Sequence, residues 1–550
     1  MPNYTPPIAD MTLLLEKITP LRALGRDDLD SAMIEAILEE AGKLAADGIA
    51  PLNETGDKTG AICKDGNVTT AKGFRDVYRQ YTEGGWNAVP FDPEYGGQGL
   101  PWLMSFPIQE MWQSASLSFG LCPLLNQGAV EAITTHGSDD QKNLYLPHLI
   151  AGDWTGTMNL TEPGAGSDLA LIRTKAERVG DGTYKISGQK IFITYGDHDM
   201  ADNIIHLVLA RLPDAPEGVK GISLFIVPKY LINSDGTLSK RNDVKCVGVE
   251  HKLGIHASPT CTMQFGDAGG AIGYLIGEEN QGLKYMFTMM NNARLSVGLQ
   301  GVALAERATQ AAKAYAAERK QGKPLSGGTT ASIDQHPDVK RMLLSMSSMT
   351  KAGRALAYEA AFHLDKAMGG DAVSQARVDL LTPIVKSWCT DMAVEVASIG
   401  VQVHGGMGFI EETGAAQFYR DARILPIYEG TNGIQANDLV FRKLLRDGGD
   451  AMADFILTLK QSKDAQLLEM IAGVEKATAR IVSLKDAPDQ VAAVAVPYLN
   501  LVGTVAGACM LEKIATADNG SQKDFAFYKT HIMPRALGYA FTVEQGSEMI

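Results

Sequence analysis

The feature that most constrains the fold of this chain is a strand-rich stretch between two long helical ones. Up to about residue 150, and again from Gly282, apolar residues recur at three- and four-residue steps, as in "SAMIEAILEEAGKLAADGIA", which predicts amphipathic helices. After residue 155 the runs "TYKISGQKIFIT", "IIHLVLARL", "GISLFIVP" and "TCTMQFG" predict short strands. Because no helical pattern lies between these runs, they favour a small, mostly antiparallel sheet or barrel over βαβ units. The predicted fold class is mainly α with a central β-barrel.

The chain has 550 residues, which is longer than a chain that folds around a single hydrophobic core usually is. "PLNETGDKTGAICKDGNVTT" (51–70) is rich in turn formers and predicts a long loop, and residues 321–337 predict a polar loop. Paired glycines in "RDGGDAMAD" precede a final helical block. The predicted domains are an N-terminal helical domain (1–157), a middle β-barrel domain (158–281), a C-terminal helical bundle (282–446) and an extra helical C-terminal segment (447–550).

The charge balance limits the partners of the chain. A net charge of −14 argues against nucleic acid as a partner, because such binding depends on clustered Lys and Arg. The six cysteines have neither metal-ligand spacing nor a disulfide pattern, so no metal is expected. The N-terminus lacks a basic segment followed by an apolar run, which predicts a cytoplasmic protein.

One segment, "VAAVAVPYLNLVGTVAGACML" (491–511), nearly has the length and apolarity of a membrane span. Pro497, Asn500 and Thr504 interrupt it, and a helix inside a large bundle can also be apolar on all sides. We expect a buried helix here and keep a membrane helix as the alternative.

Two short stretches carry residues suited to chemistry. "MNLTEPGAGSD" (158–168) combines glycines, which let a backbone approach a ligand closely, with the hydroxyls of Thr161 and Ser167. "IYEGTNGIQ" (427–435) places Glu429 where the chain turns ahead of an apolar helical pattern. A carboxylate there can stabilise the helix through its position near the positive end of the helix dipole. It can also act as a base. Each stretch alone leaves both interpretations open.

Four further motifs follow the Gly-rich stretch, namely "ISGQKIFIT", "NNARLSVG", "AERKQGKP" and "QVHGGMGF", and then "YRDARILPIYEGTNGIQ" completes the series. In this order and at these intervals, over roughly residues 30 to 445, the chain closely resembles the acyl-CoA dehydrogenase family of FAD enzymes. The resemblance implies an N-terminal helical domain, a middle β-barrel and a C-terminal helical bundle. The block after residue 446 is similar to the tail of a longer bacterial branch that includes 3-methylmercaptopropionyl-CoA dehydrogenase.

The resemblance implies a reaction and a base. Glu429, in the family's "YEGT" motif, is expected to take the α-proton of an acyl-CoA while the β-hydrogen leaves as hydride to the flavin, which gives the trans-2-enoyl-CoA. Some relatives carry the base on an earlier helix, at the position of Ala293, which cannot accept a proton. A short- to medium-chain acyl-CoA, with 3-methylmercaptopropionyl-CoA as one candidate, is the expected substrate.

The resemblance also implies the positions that contact FAD and substrate. Arg319, Gln402, Gly405 and Gly406 match residues that reach FAD across a subunit interface, and Phe192 stands where many relatives have Trp. The expected FAD-binding residues are Met158, Leu160, Thr161, Gly166, Ser167, Phe192, Ile193, Thr194, Arg319, Gln402, Gly405, Gly406 and Thr431. The expected substrate-binding residues are Ser167, Asn291, Arg294 and Gly430. Many relatives have Asp at the position of Asn291, so contacts to the CoA part are less defined.

The partners implied by the resemblance are an electron-transferring flavoprotein and further copies of the chain, as a dimer or a dimer of dimers in a bacterial cytoplasm. Three alternatives share the fold. A DNA-associated flavoprotein would need a basic C-terminal region, but the segment after residue 446 has no run of Lys or Arg. An acyl-CoA oxidase would pass electrons to oxygen. A membrane-bound long-chain enzyme would depend on residues 491–511.

Overall fold

A computed structural model describes residues 3–233, 235–325 and 327–548. Its α-helices, in chain order, are α1 (Ile8–Leu13), α2 (Ser31–Lys43), α3 (Pro51–Thr59), α4 (Phe74–Glu83), α5 (Trp102–Ala115), α6 (Leu117–His136), α7 (Asp139–Ala151), α8 (Gly282–Glu318), α9 (Pro337–Met368), α10 (Ala372–His404), α11 (Ala415–Ala422), α12 (Asn432–Asn437), α13 (Asp450–Leu459), α14 (Ala465–Ser483), α15 (Pro488–Ala517), α16 (Gln522–His531) and α17 (Arg535–Gln545). Its strands are β1 (Ile62–Lys64), β2 (Asn67–Thr69), β3 (Trp154–Asn159), β4 (Lys175–Arg178), β5 (Tyr184–Thr194), β6 (Asn203–Arg211), β7 (Ile222–Pro228), β8 (Tyr230–Ile232), β9 (Leu238–Arg241), β10 (Val244–Val249), β11 (Thr260–Phe265) and β12 (Ala271–Leu275).

The order of helices and strands agrees with the sequence. The four predicted β-rich runs form β5, β6, β7 and β11, and helical structure resumes at Gly282. The predicted fold class, mainly α with a central β-barrel and extra C-terminal helices, is confirmed. The polar loop predicted over 321–337 contains a short 3-10 turn, Ile333–Gln335, before α9 begins, and Ser326 lies outside the described residues.

Contacts divide the chain into two compact units. The first consists of residues 1–46, 102–114 and 294–550, and the second of residues 47–101 and 115–293. The helix α8 contributes to both units, because their boundary falls at Ala293 and Arg294. The four domains predicted from the sequence remain a prediction.

The second unit is built around a closed barrel. Strand β5 pairs with β4 and β12, β12 pairs with β7, β7 pairs with β6, and β6 pairs with β4, so these strands form a ring. Strand β3 joins the outside of this ring in parallel to β6, with Met158 opposite Leu207. The barrel is filled by apolar side chains such as Ile186, Val208 and Phe225. The end of β3 thus emerges from a rigid sheet.

The prediction of a long loop over residues 51–70 is wrong. Residues Pro51–Thr59 form α3, with Pro51 in its first turn, and β1 and β2 form an antiparallel hairpin. Asp65 and Gly66 connect the strands with φ of 52° and 76°. Two successive left-handed residues match the tight Asp-Gly hairpin turn. The turn formers in this stretch therefore reverse a short hairpin and do not indicate an unstructured loop.

The first unit is helical, and α15 lies in its interior. This helix is long and apolar enough to cross a membrane, but 83% of its most apolar window is buried inside the protein. Gly503 on α15 faces Trp388 of α10 so closely that an added Cβ would lie 2.6 Å from the indole ring. The nitrogen of that indole donates to Thr504 at 3.3 Å. These contacts are those of a core helix, as expected from the sequence.

Candidate active site

Glu429 lies just before α12 in an unusual backbone conformation. Its φ is 54°, in the left-handed region that L-residues with a side chain rarely adopt, and the next residue, Gly430, has φ of 85°. Such a conformation typically costs about 1–3 kcal/mol, so surrounding contacts must hold it. This φ favours glycine at position 430, where a Cβ would also lie 2.8 Å from Nε2 of Gln435. Thr431 then begins the helix by accepting from the backbone N–H of Ile434 at 3.3 Å.

The conformation of Glu429 is held by two buried side chains. Nε2 of Gln435 donates to the carbonyl oxygen of Glu429 at 3.1 Å. Nζ of Lys386, on α10, donates to the carbonyl oxygen of Gly430 at 2.7 Å and to that of Leu425 at 3.0 Å. The backbone on both sides of Glu429 is therefore bound to neighbouring helices.

Neither Gln435 nor Lys386 was identified from the sequence. Lys386 interrupts the apolar pattern "TPIVKSWC" of α10, and a lone cation in such a pattern is a signal of a buried, hydrogen-bonded lysine. The sequence does not show which atoms it binds. Gln435, which is fully buried, gave no local signal.

The electrostatic surroundings of Glu429 favour a base that works near neutral pH. The residue is half-buried, and burial raises the pKa of its carboxyl to about 7. The positive charges of Arg294 and Lys386 act in the opposite direction and lower that pKa. Desolvation is the larger effect. A carboxyl with a pKa near the working pH is well matched to proton abstraction.

Arg294 is the cation of α8 whose charge reaches Glu429. Its side chain is 6% exposed and forms an ion pair with Asp438 at 3.4 Å. Burial lowers its pKa, while the charges of Asp438 and Glu429 raise it. Its buried Nε has no hydrogen-bond partner among the described residues, so this donor is unsatisfied in the structure. The predicted substrate residue Asn291 is exposed, and Ala293 is buried.

In the second unit, the Gly-rich stretch leaves β3 and remains open. Met158 is half-buried, Leu160 is buried, and the carbonyl oxygen of Thr161 accepts from the backbone N–H of Ile191 at 2.9 Å. Gly166 and Ser167 are exposed, and a Cβ on Gly166 would meet nothing within 4 Å. The loop therefore presents accessible backbone beside the end of β5.

Phe192 presents an aromatic face next to this loop. It has φ of 60° and its side chain is 57% exposed, which is unusual for a large apolar residue. The neighbouring Ile193 is buried, and Thr194 is half-buried. An exposed ring on a strained backbone, beside open Gly-rich backbone, fits one side of a planar ligand ring. The second unit thus brings together the predicted residues from Met158 to Ser167 and from Phe192 to Thr194.

The remaining predicted FAD residues lie on the surface of the first unit. Arg319 follows the end of α8 and is exposed. Gln402, Gly405 and Gly406, at the end of α10, are exposed as well. The side chain of Phe409 beside them is 86% exposed. This surface presents glycine backbone, a cation and apolar side chains to solvent.

Comparison with known proteins agrees with these features. Acyl-CoA dehydrogenase N-terminal, middle and C-terminal domain models match residues 31–153, 157–268 and 280–444, and a model described as acetyl-CoA dehydrogenase C-terminal like matches 450–550. A 3-methylmercaptopropionyl-CoA dehydrogenase of Ruegeria pomeroyi is 47% identical over 94% of this chain and 91% of the relative. The chain belongs to the acyl-CoA dehydrogenase family. This membership confirms the enzyme class and the FAD cofactor that the resemblance implied.

Two further acyl-CoA dehydrogenases show how far the similarity extends. A butyryl-CoA dehydrogenase of Syntrophomonas wolfei is 37% identical over 87% of this chain and 81% of the relative. The solved structure of an acyl-CoA dehydrogenase complexed with FAD from Bacillus anthracis has a TM-score of 0.77 and 22% identity, over 95% of this chain and 90% of that one. The structural match supports the shared fold, which includes the C-terminal helices.

Proposed function

We propose that this acyl-CoA dehydrogenase oxidises the Cα–Cβ bond of a short- to medium-chain acyl-CoA to the trans-2-enoyl-CoA, with Glu429 as the base. The observation that carries the proposal is the state of Glu429, a carboxyl with a pKa of about 7 on a left-handed backbone held by two buried side chains. A helix-terminal acid that only favours the helix dipole needs neither a raised pKa nor such a backbone.

The chain's own residues account for the proton transfer. The α-hydrogen of a thioester is weakly acidic, and its removal requires a base at a fixed position. The Glu429 carboxylate takes that proton, and its own backbone N–H is a candidate donor to the thioester oxygen. FAD, when bound, supplies the acceptor for the β-hydrogen and its electron pair. Loss of one proton and one hydride balances formation of the C=C bond.

The residues proposed to hold FAD fall into two groups. In the second unit, Thr161 and Ser167 supply hydroxyls, Gly166 supplies accessible backbone and Phe192 supplies an exposed ring face. In the first unit, the exposed residues are Arg319, Gln402, Gly405 and Gly406, and they are free to reach FAD bound by another copy of the chain. The proposed assembly is therefore a homo-oligomer, a dimer or a dimer of dimers.

The proposed acyl group is small. The relative with 47% identity is named for 3-methylmercaptopropionyl-CoA and the relative with 37% identity for butyryl-CoA. We take 3-methylmercaptopropionyl-CoA as the first candidate substrate. One methylene changes binding in such a pocket by only about 1–3 kcal/mol, so related short acyl-CoAs should react more slowly but measurably. The rates of oxidation of a panel of acyl-CoA thioesters, measured with a dye as the electron acceptor, would rank these substrates.

The proposed electron acceptor is an electron-transferring flavoprotein. The sequence has no evident GxGxxG fingerprint after a strand, with an acid about 20 residues later, that would indicate NAD binding. Reduction of an added electron-transferring flavoprotein under substrate is the expected result. Rapid reoxidation by air with stoichiometric peroxide would instead identify an oxidase.

Glu429→Gln tests the base directly. The variant keeps the size of the side chain and the backbone N–H but cannot accept a proton, so an acyl-CoA mixed with it anaerobically should perturb the flavin spectrum without reducing it. Loss of a general base typically slows a reaction by about 10² to 10⁴-fold. Glu412→Gln, an exposed acid, is the matched control and should react at the parental rate. Parental flavin reduction in Glu429→Gln would overturn the assignment.

A further inference from the structure

Lys386 is a buried cation with a complete set of hydrogen bonds. Its side chain is fully buried on α10, and Nζ donates to the carbonyl oxygens of Leu425 at 3.0 Å and Gly430 at 2.7 Å and to Oδ1 of Asn432 at 2.9 Å. Burial lowers the pKa of its ammonium group, while the charges of Glu429 and Asp391 act in the opposite direction. An ammonium group has three N–H donors, whereas a neutral amine has two, so three accepting oxygens favour the charged form.

The partners of Lys386 lie on both sides of Glu429. Leu425 precedes Glu429, and Gly430 and Asn432 follow it. Asn432 extends the network back to α10, because its Nδ2 donates to the carbonyl oxygen of Ser387 at 3.2 Å and to Oδ1 of Asp391 at 2.8 Å. One side chain thus ties the whole turn that carries Glu429 to the middle of a long, buried helix.

We propose that Lys386 is a positioning residue that holds Glu429 in its left-handed conformation for proton abstraction and whose positive charge acts on the Glu429 carboxyl. The inference rests on the proposed role of Glu429 as the base. A left-handed residue with a side chain relaxes to an ordinary conformation when its supporting contacts are lost. A shift of about 1 Å at the base is enough to slow the reaction strongly.

The charge of Lys386 also acts on Glu429. Arg294 and Lys386 are the cations that lower the pKa of Glu429 against the larger effect of burial. Lys386 in turn is affected by the charges of Glu429, Asp391 and Arg294, and Arg294 is affected by Asp438 and Arg442. Removal of the Lys386 charge takes away one of the two charges that lower the pKa of Glu429. Burial then raises that pKa further. The ionised base then requires a higher pH.

The experiment compares Lys386→Met with the parent holoenzyme, by anaerobic flavin reduction from pH 6 to 9. We expect reduction to slow about 10- to 100-fold with substrate binding within about threefold, because the contact acts on geometry at the base. We also expect the acid limb of the rate profile to move upward by about half a pH unit or more. Lys386→Gln, whose amide keeps two N–H donors but lacks the charge, should recover part of the rate and still show the upward shift.

Lys351→Met is the matched control. Lys351 is a half-buried lysine of the same unit, paired with Asp524 at 3.0 Å, and its loss should reduce thermal stability without changing the rate or the acid limb. A parental rate and an unmoved limb in Lys386→Met would overturn the inference. A slower rate with an unmoved limb in both Lys386 variants would also overturn it, because that result describes a purely structural lysine.

The two proposals fail in different ways. If Glu429→Gln reduces the flavin at the parental rate, the base is elsewhere and the proposed function loses its main residue. If Glu429→Gln is inactive while Lys386→Met keeps the parental rate and pH profile, only the role of Lys386 is wrong. If Lys386→Met does not accumulate as folded protein, the Lys386→Gln variant, which also lacks the charge, tests the inference instead. The measurement is the position of the acid limb in its pH profile of flavin reduction.

Discussion

The side-chain amide of Gln435 donates to the backbone carbonyl oxygen of Glu429 at 3.1 Å. Gln435 lies on α12, the helix that begins immediately after the Glu429 turn, and it is fully buried. A side chain of the short helix α12 therefore binds the backbone of the turn that leads into it. Together with Lys386 on α10, this contact means that the conformation of the proposed base depends on two helices of the first unit.

Gln435→Met should weaken the base without removing it. Methionine fills a similar volume but has no donor, so the carbonyl oxygen of Glu429 loses this partner in the interior, at a cost of about 1–3 kcal/mol. We expect a lower free energy of unfolding and slower flavin reduction, with a smaller effect than Glu429→Gln. Denaturant titration and stopped-flow reduction measure the two quantities. Unchanged values of both would show that the Lys386 contacts suffice.

The pH dependence should reveal the raised pKa of Glu429. Because the base acts as the carboxylate, kcat/KM for an acyl-CoA is expected to fall about tenfold per pH unit as the pH decreases below about 7. A midpoint in the ordinary carboxyl range near 4.5 would contradict the desolvated environment. The profile of kcat/KM is the appropriate measurement, because it reports ionisations of the free enzyme.

The same pKa shift predicts an effect on stability. Ionised Glu429 is disfavoured in the folded state, so its contribution to stability decreases as the pH rises from about 4.5 to about 7. Glu429→Gln removes that ionisation and should be more stable than the parent at pH 8, with little difference at pH 4. Melting temperatures at both pH values test this. Lower stability of the variant at pH 8 would argue against a desolvated carboxylate.

Arg319→Ala should loosen both flavin and assembly. Arg319 is exposed at the end of α8, where the family resemblance implies a contact with FAD bound by another subunit. Flavin content and size-exclusion elution are the measurements, and we expect less bound flavin and later elution, as for a smaller assembly. Lys320→Ala changes the neighbouring exposed cation and should leave both near the parental values. A fully flavinated monomer of Arg319→Ala would contradict the proposed intersubunit contact.

Arg354→Met should strongly destabilise the first unit. Arg354 on α9 is fully buried, and its Nη2 lies 2.7 Å from both Glu110 and Glu306. Without it, the buried Glu110 and the half-buried Glu306 lose their cation, at a cost of about 3–5 kcal/mol. Lys460→Met breaks the exposed pair with Glu475 and should change stability by less than about 1 kcal/mol. Similar effects of the two substitutions in urea unfolding would show that the buried network contributes little.

The sequence by itself determined the succession of structures along the chain and the identity of the proposed base. Helical and strand periodicity depend on near neighbours in sequence, so α8, β5, β6 and β7 were recognisable from residue patterns alone. The ordered motifs are also local runs of residues, and their resemblance to the acyl-CoA dehydrogenase family pointed to Glu429 and the Gly-rich stretch. Composition also favoured a buried α15, since its polar interruptions fit a core helix.

Only the tertiary structure decided how those pieces meet. The ring of strands closes because β4 pairs with both β5 and β6, and the 51–70 stretch became a helix and a hairpin. The contacts of Lys386 join residues 39 to 46 positions apart, and no local pattern specifies such pairs. The left-handed conformation of Glu429 and its raised pKa have the same origin. Both depend on side chains that are distant in sequence and that packing brings within a few ångströms.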